Sequence, residues 1–317
     1  MGSLAAGGRK AHTRLNGVSM KKLCCLLLAV LLCCPAALAE DVQLVASFYP
    51  VYIFAQNILQ DVPGVSLSCM TAPSTGCLHD YQLLAGDMLK LSKADALLIN
   101  GAGMEVFLPA VKHQLPEMRI VDCSEGIELL CANEEHHHDH DHEHAAEEYN
   151  AHIWLDPKNA IQMVKNMESQ LIDLMPEHAE TIAKNASAYI IRLEELDAYI
   201  TDHLLAIPSR QIVTFHDSFP YFAKAYDLHI VAVVSMEPED PLSPQTLMDV
   251  IHQVTAAGNP PLFAEPQYRN AALEVISRET GAPVYLLDPL VTGDGSMTAY
   301  EDVMKKNLHT LLEALSK

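Results

Sequence analysis

Residues Glu177 to Ile207 read EHAETIAKNASAYIIRLEELDAYITDHLLAI, bracketed by Pro176 and Pro208. Larger apolar side chains fall at Ile182, Tyr189, Leu193, Leu196, Ile200, Leu204 and Ile207, at gaps of seven, four, three, four, four and three. That repeat keeps one face of an α-helix apolar. At 1.5 Å per residue such a helix runs roughly 45 Å, longer than a small domain is wide. It can join two domains as a stiff rod. Asn185-Ala186-Ser187 has the form of a glycosylation triplet, but inside this helix it reads as chance.

Strands alternate with helices on both sides of the rod. Before it, VQLVASFYP (Val42 to Pro50), GVSLSCM (Gly64 to Met70), DALLING and RIVDCSEG (Arg119 to Gly126) read as strands, separated by segments of helical spacing. After it, QIVTF (Gln211 to Phe215), HIVAVVS (His229 to Ser235), PLFAEP and PVYLLDPL do the same, and an amphipathic helix closes the chain. The pattern implies an α/β fold of two lobes, each a parallel sheet flanked by helices. The chain divides into a lobe over residues 40–175, the linker helix over 176–208 and a lobe over 209–317. LDPKNAIQMVKNMESQLIDLM opens a helix that Asp156 can cap, with Pro157 in its first turn.

The length of 317 residues also suits two domains. Residues 1–39 carry five basic residues and no acid, then the apolar run LCCLLLAVLLCC and Ala37-Leu38-Ala39. This is the form of a secretory signal peptide, too short to span a membrane comfortably. Met20 serves equally well as the start. Cleavage after Ala39 is expected; a lipoprotein anchored at Cys34 is the rival, although Cys33 then stands where a small residue is usual. The exported chain, periplasmic or at the cell surface, would keep 15 basic and 41 acidic residues, a formal charge of −26. That sign excludes a grip on nucleic acid or an anionic membrane surface and suits attraction of cations. Cys69, Cys77, Cys123 and Cys131 remain, so disulfides are plausible. The pairs 69–77 and 123–131 are the simplest of three connectivities, and free thiols are the alternative.

In open α/β sheets ligands bind beyond the carboxyl ends of strands. Four metal-capable residues fall at or near such places: His79 in GCLHDYQL, His152 in AHIWLDP, His216 in VTFHDSF and Asp288 in YLLDPL. Three imidazoles and one carboxylate can close a tetrahedral shell around a borderline cation such as zinc. Taken singly, each histidine is more often a solvated or core-edge residue, and Asp288 before Pro289 more often starts a turn. Asp217 and Glu265 are either plain surface or capping acids or supports that orient the imidazoles by hydrogen bonds. Trp154 reads as a packing residue beside His152.

Taken in order, ASFYPVYIFAQNI, LHDYQL, KADALLINGAGMEVFL, VDCSEGIELL, AHIWLDPKNA, VTFHDSFPYFAKAYDL and FAEPQYRNAALEVISRETGAPVYLLDPL resemble the metal-specific solute-binding proteins of ABC transporters. The resemblance covers nearly all of residues 42–317. It implies two α/β lobes on a rigid helix with Zn2+ or Mn2+ held between them as cargo. It also implies an ABC permease with its cytoplasmic ATPase as partners, a monomer, and no enzymatic step. Residue by residue, its metal positions fall on His79, His152, His216 and Asp288. Zinc members resemble this chain in having histidine at the third position, where manganese members tend to have a carboxylate. Leu78 stands where some zinc members carry an acid, which leaves the fourth position to Asp288.

Zinc members also often carry an acid and histidine loop before the second ligand. Here residues 134–148 hold His136, His137, His138, His140, His142 and His144 among acids, with almost no apolar content. Such a run reads as a mobile surface loop. Ordering a backbone residue costs about 1–2 kcal/mol. Fixing three or four of them around a metal therefore costs roughly 4 kcal/mol, about a thousandfold in affinity. Residues on strand ends have met that cost during folding. His152 is accordingly the site and the run a weak accessory.

Other readings are a manganese or iron receptor of the same type, a surface adhesin that metal merely rigidifies, and, less well supported, a zinc hydrolase. For the last, Asp288 would fill the position a catalytic water needs, and H-E-x-x-H, G-x-S-x-G and a phosphate-cradling glycine loop are all missing from the sequence. Deleting residues 134–148 should leave one tight metal per chain in equilibrium dialysis and remove weaker equivalents; loss of the tight one would overturn the assignment. Because imidazoles coordinate only when neutral, affinity should fall below about pH 6. A titration that stays flat from about pH 7.5 to about pH 5 would contradict histidine coordination.

Overall fold

The structure, a computed structural model, describes Gly2 and residues 41–71, 78, 81–131, 149–234, 243–267 and 271–316. The signal peptide, His79, Cys77 and the histidine run expected from the sequence lie outside the described residues. Residues Asp41–Lys317 form one compact unit, from which Met1–Glu40 is separate. Its first half runs β1 (Val42–Ala46), α1 (Tyr49–Ile58), β2 (Val65–Cys69), α2 (Ala85–Leu91), β3 (Ala96–Ile99), α3 (Leu108–Gln114) and β4 (Arg119–Asp122). A short turn at Ile153–Leu155 then leads into α4 (Pro157–Leu174), and another at Pro176–His178 into α5 (Ala179–Leu204). The second half runs β5 (Gln211–Thr214), α6 (Pro220–Ala225), β6 (His229–Val233), α7 (Pro244–Ala256), β7 (Leu262–Ala264), α8 (Ala271–Thr280), β8 (Val284–Leu286) and α9 (Ala299–Leu315).

Each half contributes one parallel sheet of four strands, in the orders β2-β1-β3-β4 and β6-β5-β7-β8. The order is the same in both. The chain therefore reverses its direction across the sheet between β1 and β3, and again between β5 and β7. These two reversals are where ligand crevices form in doubly wound sheets. The first strand is shorter than the β-rich run to Pro50 suggested. Pro50 belongs to the first turn of α1, where its missing N–H leaves nothing unsatisfied.

The long helix is α5, with 26 residues, about 39 Å. It is shorter than its sequence pattern because Pro176–His178 forms a separate 3-10 turn ahead of it. Every apolar residue of the pattern is buried, Ile207 beyond the helix end included. Each such fully buried aliphatic side chain contributes about 1.5–3 kcal/mol. The stripe is covered by α1, α4 and α9, so the last helix of the chain packs back onto the first half. Arg192 of α5 fixes that return: it pairs with Glu301 on α9 and donates to Asn57 Oδ1 at 2.9 Å and Met297 O at 2.9 Å.

The second sheet divides its residues by the period of two that a strand imposes. Ile212 and Phe263 join the large core that holds α5 and the first sheet. Val213, Phe215, Leu262 and Ala264 face a smaller core with Val250, Val254, Leu273 and Ile276 from α7 and α8. The N-terminus of α4 is capped as its sequence implies, Asp156 accepting from Lys158 N–H at 2.9 Å. Asn185 donates its amide to Ile58 O at 3.0 Å and Gln60 O at 2.6 Å, closing the end of α1. The 123–131 disulfide does not form. Cys123 is buried beyond β4, its N–H bonded to Ile99 O, while Cys131 is exposed. Cys69 is likewise a free thiol, 3.7 Å from Thr71 Oγ1.

Candidate metal centre

His216 leaves the second sheet where β5 ends, Phe215 N–H still pairing with Phe263 O at 2.9 Å. His152 arrives from the first half, on the turn that precedes α4. Both residues are buried, His152 at 2 % and His216 at 4 % exposure. Their ring centroids lie 5.1 Å apart with planes at 82°. Two imidazoles this close and this dry come from elements 64 residues apart. That is the convergence a metal site requires.

Asn150 decides how His152 presents itself. Its Nδ2 group donates to Asp217 O at 2.7 Å and to Asp217 Oδ2 at 3.0 Å. Its Oδ1 accepts from His152 N–H at 3.0 Å and lies 3.1 Å from His152 Nδ1. With the amide nitrogen committed to two acceptors, the oxygen faces Nδ1, so the proton sits on Nδ1. When the ring is neutral, that tautomer puts the lone pair on Nε2, the usual way a ligand histidine is oriented. Asp217, beside His216, is pushed up to about 6 by burial, against the opposing hydrogen bond from Asn150.

Asp288 follows β8 and is half-buried. Its N–H donates to Asn307 Oδ1 at 2.9 Å and its C=O accepts from Asn307 Nδ2 at 2.8 Å. Its Oδ1 accepts from Leu290 N–H at 2.9 Å, so the turn-starting role open to it in the sequence is realised. Trp154 does more than pack. Its ring lies 5.1 Å from those of His152 and Phe48, and its Nε1–H donates to Pro289 O at 2.8 Å. One side chain thus ties the His152 turn to the Asp288 turn. Glu265, at the end of β7, is buried and accepts from Ser218 Oγ. Burial pushes its carboxyl up to about 8, Ser218 opposes that rise and the Asp288 charge adds to it.

Of the sequence-predicted site residues, the structure brings His152 and His216 together; Asp217 is bonded to Asn150 and Glu265 to Ser218 rather than to either ring. Asp288 approaches through Trp154 and the field it exerts on Glu265. Among the described residues no group of three or more His, Cys, Asp or Glu side chains is disposed to hold a metal ion. Sequence reasoning missed Asn150, Ser218 and Tyr221, whose hydroxyl donates to Asn150 O. The closeness of Asn150 to His152 is the one hint the sequence carried.

Residues 44–314 match the family model described as zinc-uptake complex component A, periplasmic. The chain belongs to this family of metal solute-binding proteins of ABC transporters. It is 28% identical over 284 residues to the high-affinity zinc uptake system protein ZnuA of Bacillus subtilis, covering 87% of this chain and 88% of that one. It is also 28% identical to the iron-binding protein YfeA of Yersinia pestis, covering 89% of each. Among solved structures, the SBP FpvC of Pseudomonas aeruginosa in complex with Mn2+ superposes with a TM-score of 0.76 at 25% identity, over 87% of this chain and 98% of that one. The family's members are receptors outside the cytoplasm that serve a permease and its ATPase. Among the described residues no helix is long and apolar enough to cross a membrane.

The buried acids give the metal-free protein a pH signature. Glu265 has a folded value raised to about 8 against about 4.3 when unfolded. Its contribution is therefore fully present below about pH 4.3 and lost as pH rises through about 8. In chelator, Glu265→Gln should flatten the fall in stability between about pH 5 and pH 9. Parallel urea-midpoint curves for parent and variant across that range would refute it.

Proposed function

We propose that this chain captures one divalent transition metal, Zn2+ in preference to Mn2+ or iron, and hands it to an ABC permease for uptake. His152 and His216 bind it through imidazole nitrogen, with His79 and Asp288 completing the shell. Asp217 and Glu265 support those ligands, and the histidine run between residues 134 and 148 gathers metal weakly nearby. The protein acts as an exported monomer after loss of residues 1–39, with its lobes over 40–175 and 209–317 held on the helix over 176–208. It carries out no reaction on its cargo.

The observation that carries this reading is the buried pair of imidazoles with the His152 proton placed on Nδ1 by Asn150. Such a pair offers two neutral nitrogen donors at fixed spacing. Nitrogen-rich shells suit zinc, whereas manganese takes more carboxylate and carbonyl oxygen. The relatives named for zinc and for iron, and the neighbour holding Mn2+, mark the range within which the donor set must choose. A receptor rather than a hydrolase follows if Asp288 fills the fourth position, because no place is left for an activated water.

Competition titration of zinc and manganese against the purified chain tests the proposal. One tight zinc per chain is expected, with manganese weaker. Loss of a ligand should cost at least as much as loss of a group behind it, so His216→Ala should weaken zinc by about 100-fold or more. Unchanged zinc affinity in that variant, or manganese bound more tightly than zinc, would overturn it.

A further inference from the structure

Helix α6 begins four residues after His216, and its second residue reaches across to the first half. The Tyr221 hydroxyl donates to Asn150 O at 2.8 Å and accepts from Leu130 N–H at 3.0 Å. Its ring is buried at 3 % exposure, and burial raises the hydroxyl's pKa, so it keeps the proton it donates. Leu130 and Asn150 are themselves paired, Asn150 N–H donating to Leu130 O at 2.8 Å, next to the antiparallel bridge between Cys131 and Tyr149. One turn along the same face of α6, Lys224 meets Glu128 at 2.9 Å. The segment before His152 is therefore clamped to the helix that follows His216.

We infer that Tyr221 is a positioning residue for metal binding. Its hydroxyl fixes the Asn150 backbone, and Asn150 in turn holds His152 Nδ1–H and the Asp217 carboxylate that neighbours His216. This inference rests on the reading that His152 and His216 are ligands. Asn150 uses its side chain on both histidine-bearing loops, so a small rotation of its backbone would turn the His152 ring and loosen the Asp217 contact together. Tyr221 opposes that rotation with its hydrogen bond to Asn150 O, made from the second half. Ligand geometry held loosely by about 1 Å is enough to weaken a preorganised site.

Tyr221→Phe keeps the ring and removes only the hydroxyl. In the full chain, chelator competition should show zinc bound about tenfold more weakly, at the low end for groups behind a ligand. The melting temperature in chelator should change by only a few degrees. Asn150→Ala should weaken zinc as well, and adding Tyr221→Phe to it should cause little further loss, since the hydroxyl acts through Asn150. In 15N-imidazole spectra of the metal-free chain, the His152 Nδ1–H signal should broaden or shift in Tyr221→Phe. A merely structural role would lower the melting temperature without moving that signal and would weaken zinc equally in both backgrounds, which overturns the inference. So does zinc affinity within about twofold of the parent. If His216→Ala also keeps its zinc, the metal assignment falls and takes this inference with it; if His216→Ala loses zinc while Tyr221→Phe does not, this inference falls alone. Repeating the measurement in the chain lacking residues 134–148 should give the same loss, and a loss that vanishes there overturns direct positioning.

Discussion

A helix of 26 residues with one apolar stripe has to be covered along its length, and α5 is covered from three directions. Helices α1 and α4 belong to the first half, while α9 arrives from the end of the chain. The cover therefore cannot be removed from one half without exposing the other. Ile212 and Phe263 of the second sheet sit in the same core as Leu44 and Leu97 of the first. Interiors packed at crystal density transmit strain rather than absorb it. A histidine pair with one member in each half is then set by the fold itself, and large rotations of the halves about α5 would have to break that core.

The repeated strand order places comparable chemistry at both reversals. In the first half, Ser47 follows β1 and donates to Glu105 Oε1 at 2.7 Å; Glu105 also accepts from Asn100 N–H and Gly101 N–H just beyond β3. In the second half, Ser218 lies beyond β5 and donates to Glu265 at the end of β7. Both glutamates are buried, and burial raises them to about 7 and about 8. Asn100 goes on to donate to Ala151 O at 2.9 Å, next to His152. Each crevice thus has a buried carboxyl knotting two strand ends together; His216 stands on the loop knotted by Glu265, and His152 is reached from the other knot through Asn100 and Ala151 O. Gly101 permits the first knot: a Cβ there would fall 2.1 Å from Asp122 Oδ1, and its φ of +78° suits glycine.

How much of this the sequence carried depends on the range of each interaction. The α5 stripe, the Asp156 cap and the strand-ending position of His216 are local, so spacing alone shows them. The partnership of His152 with His216 is not local, and strand-end placement only made it plausible. Asn150 was invisible as a director of His152 because its meaning comes from Asp217, 67 residues away. Cys123 and Cys131 looked like a pair because they lie eight positions apart, yet one is buried just beyond the edge strand β4 and the other is exposed. Trp154 was read as packing alone, since nothing nearby in sequence announces the carbonyl of Pro289. The paired Ser–Glu knots needed the strand order, which alternation of elements does not fix.

The acid excess and the imidazole pair act at different ranges. The full chain carries a formal charge of −21, and its field draws cations of every kind toward it. At physiological ionic strength that field fades over about 8 Å, so it can raise encounter rates but cannot tell zinc from calcium or magnesium. Those abundant ions prefer oxygen ligands and six or more positions. A buried crevice lined by two imidazoles gives them little to bind. Any choice among cations has then to be made at short range, where the His152 and His216 rings face each other and Asn150 Oδ1 faces His152 Nδ1. The charge acts on every cation alike, and only contacts at bonding distance, set by buried geometry, can tell one from another.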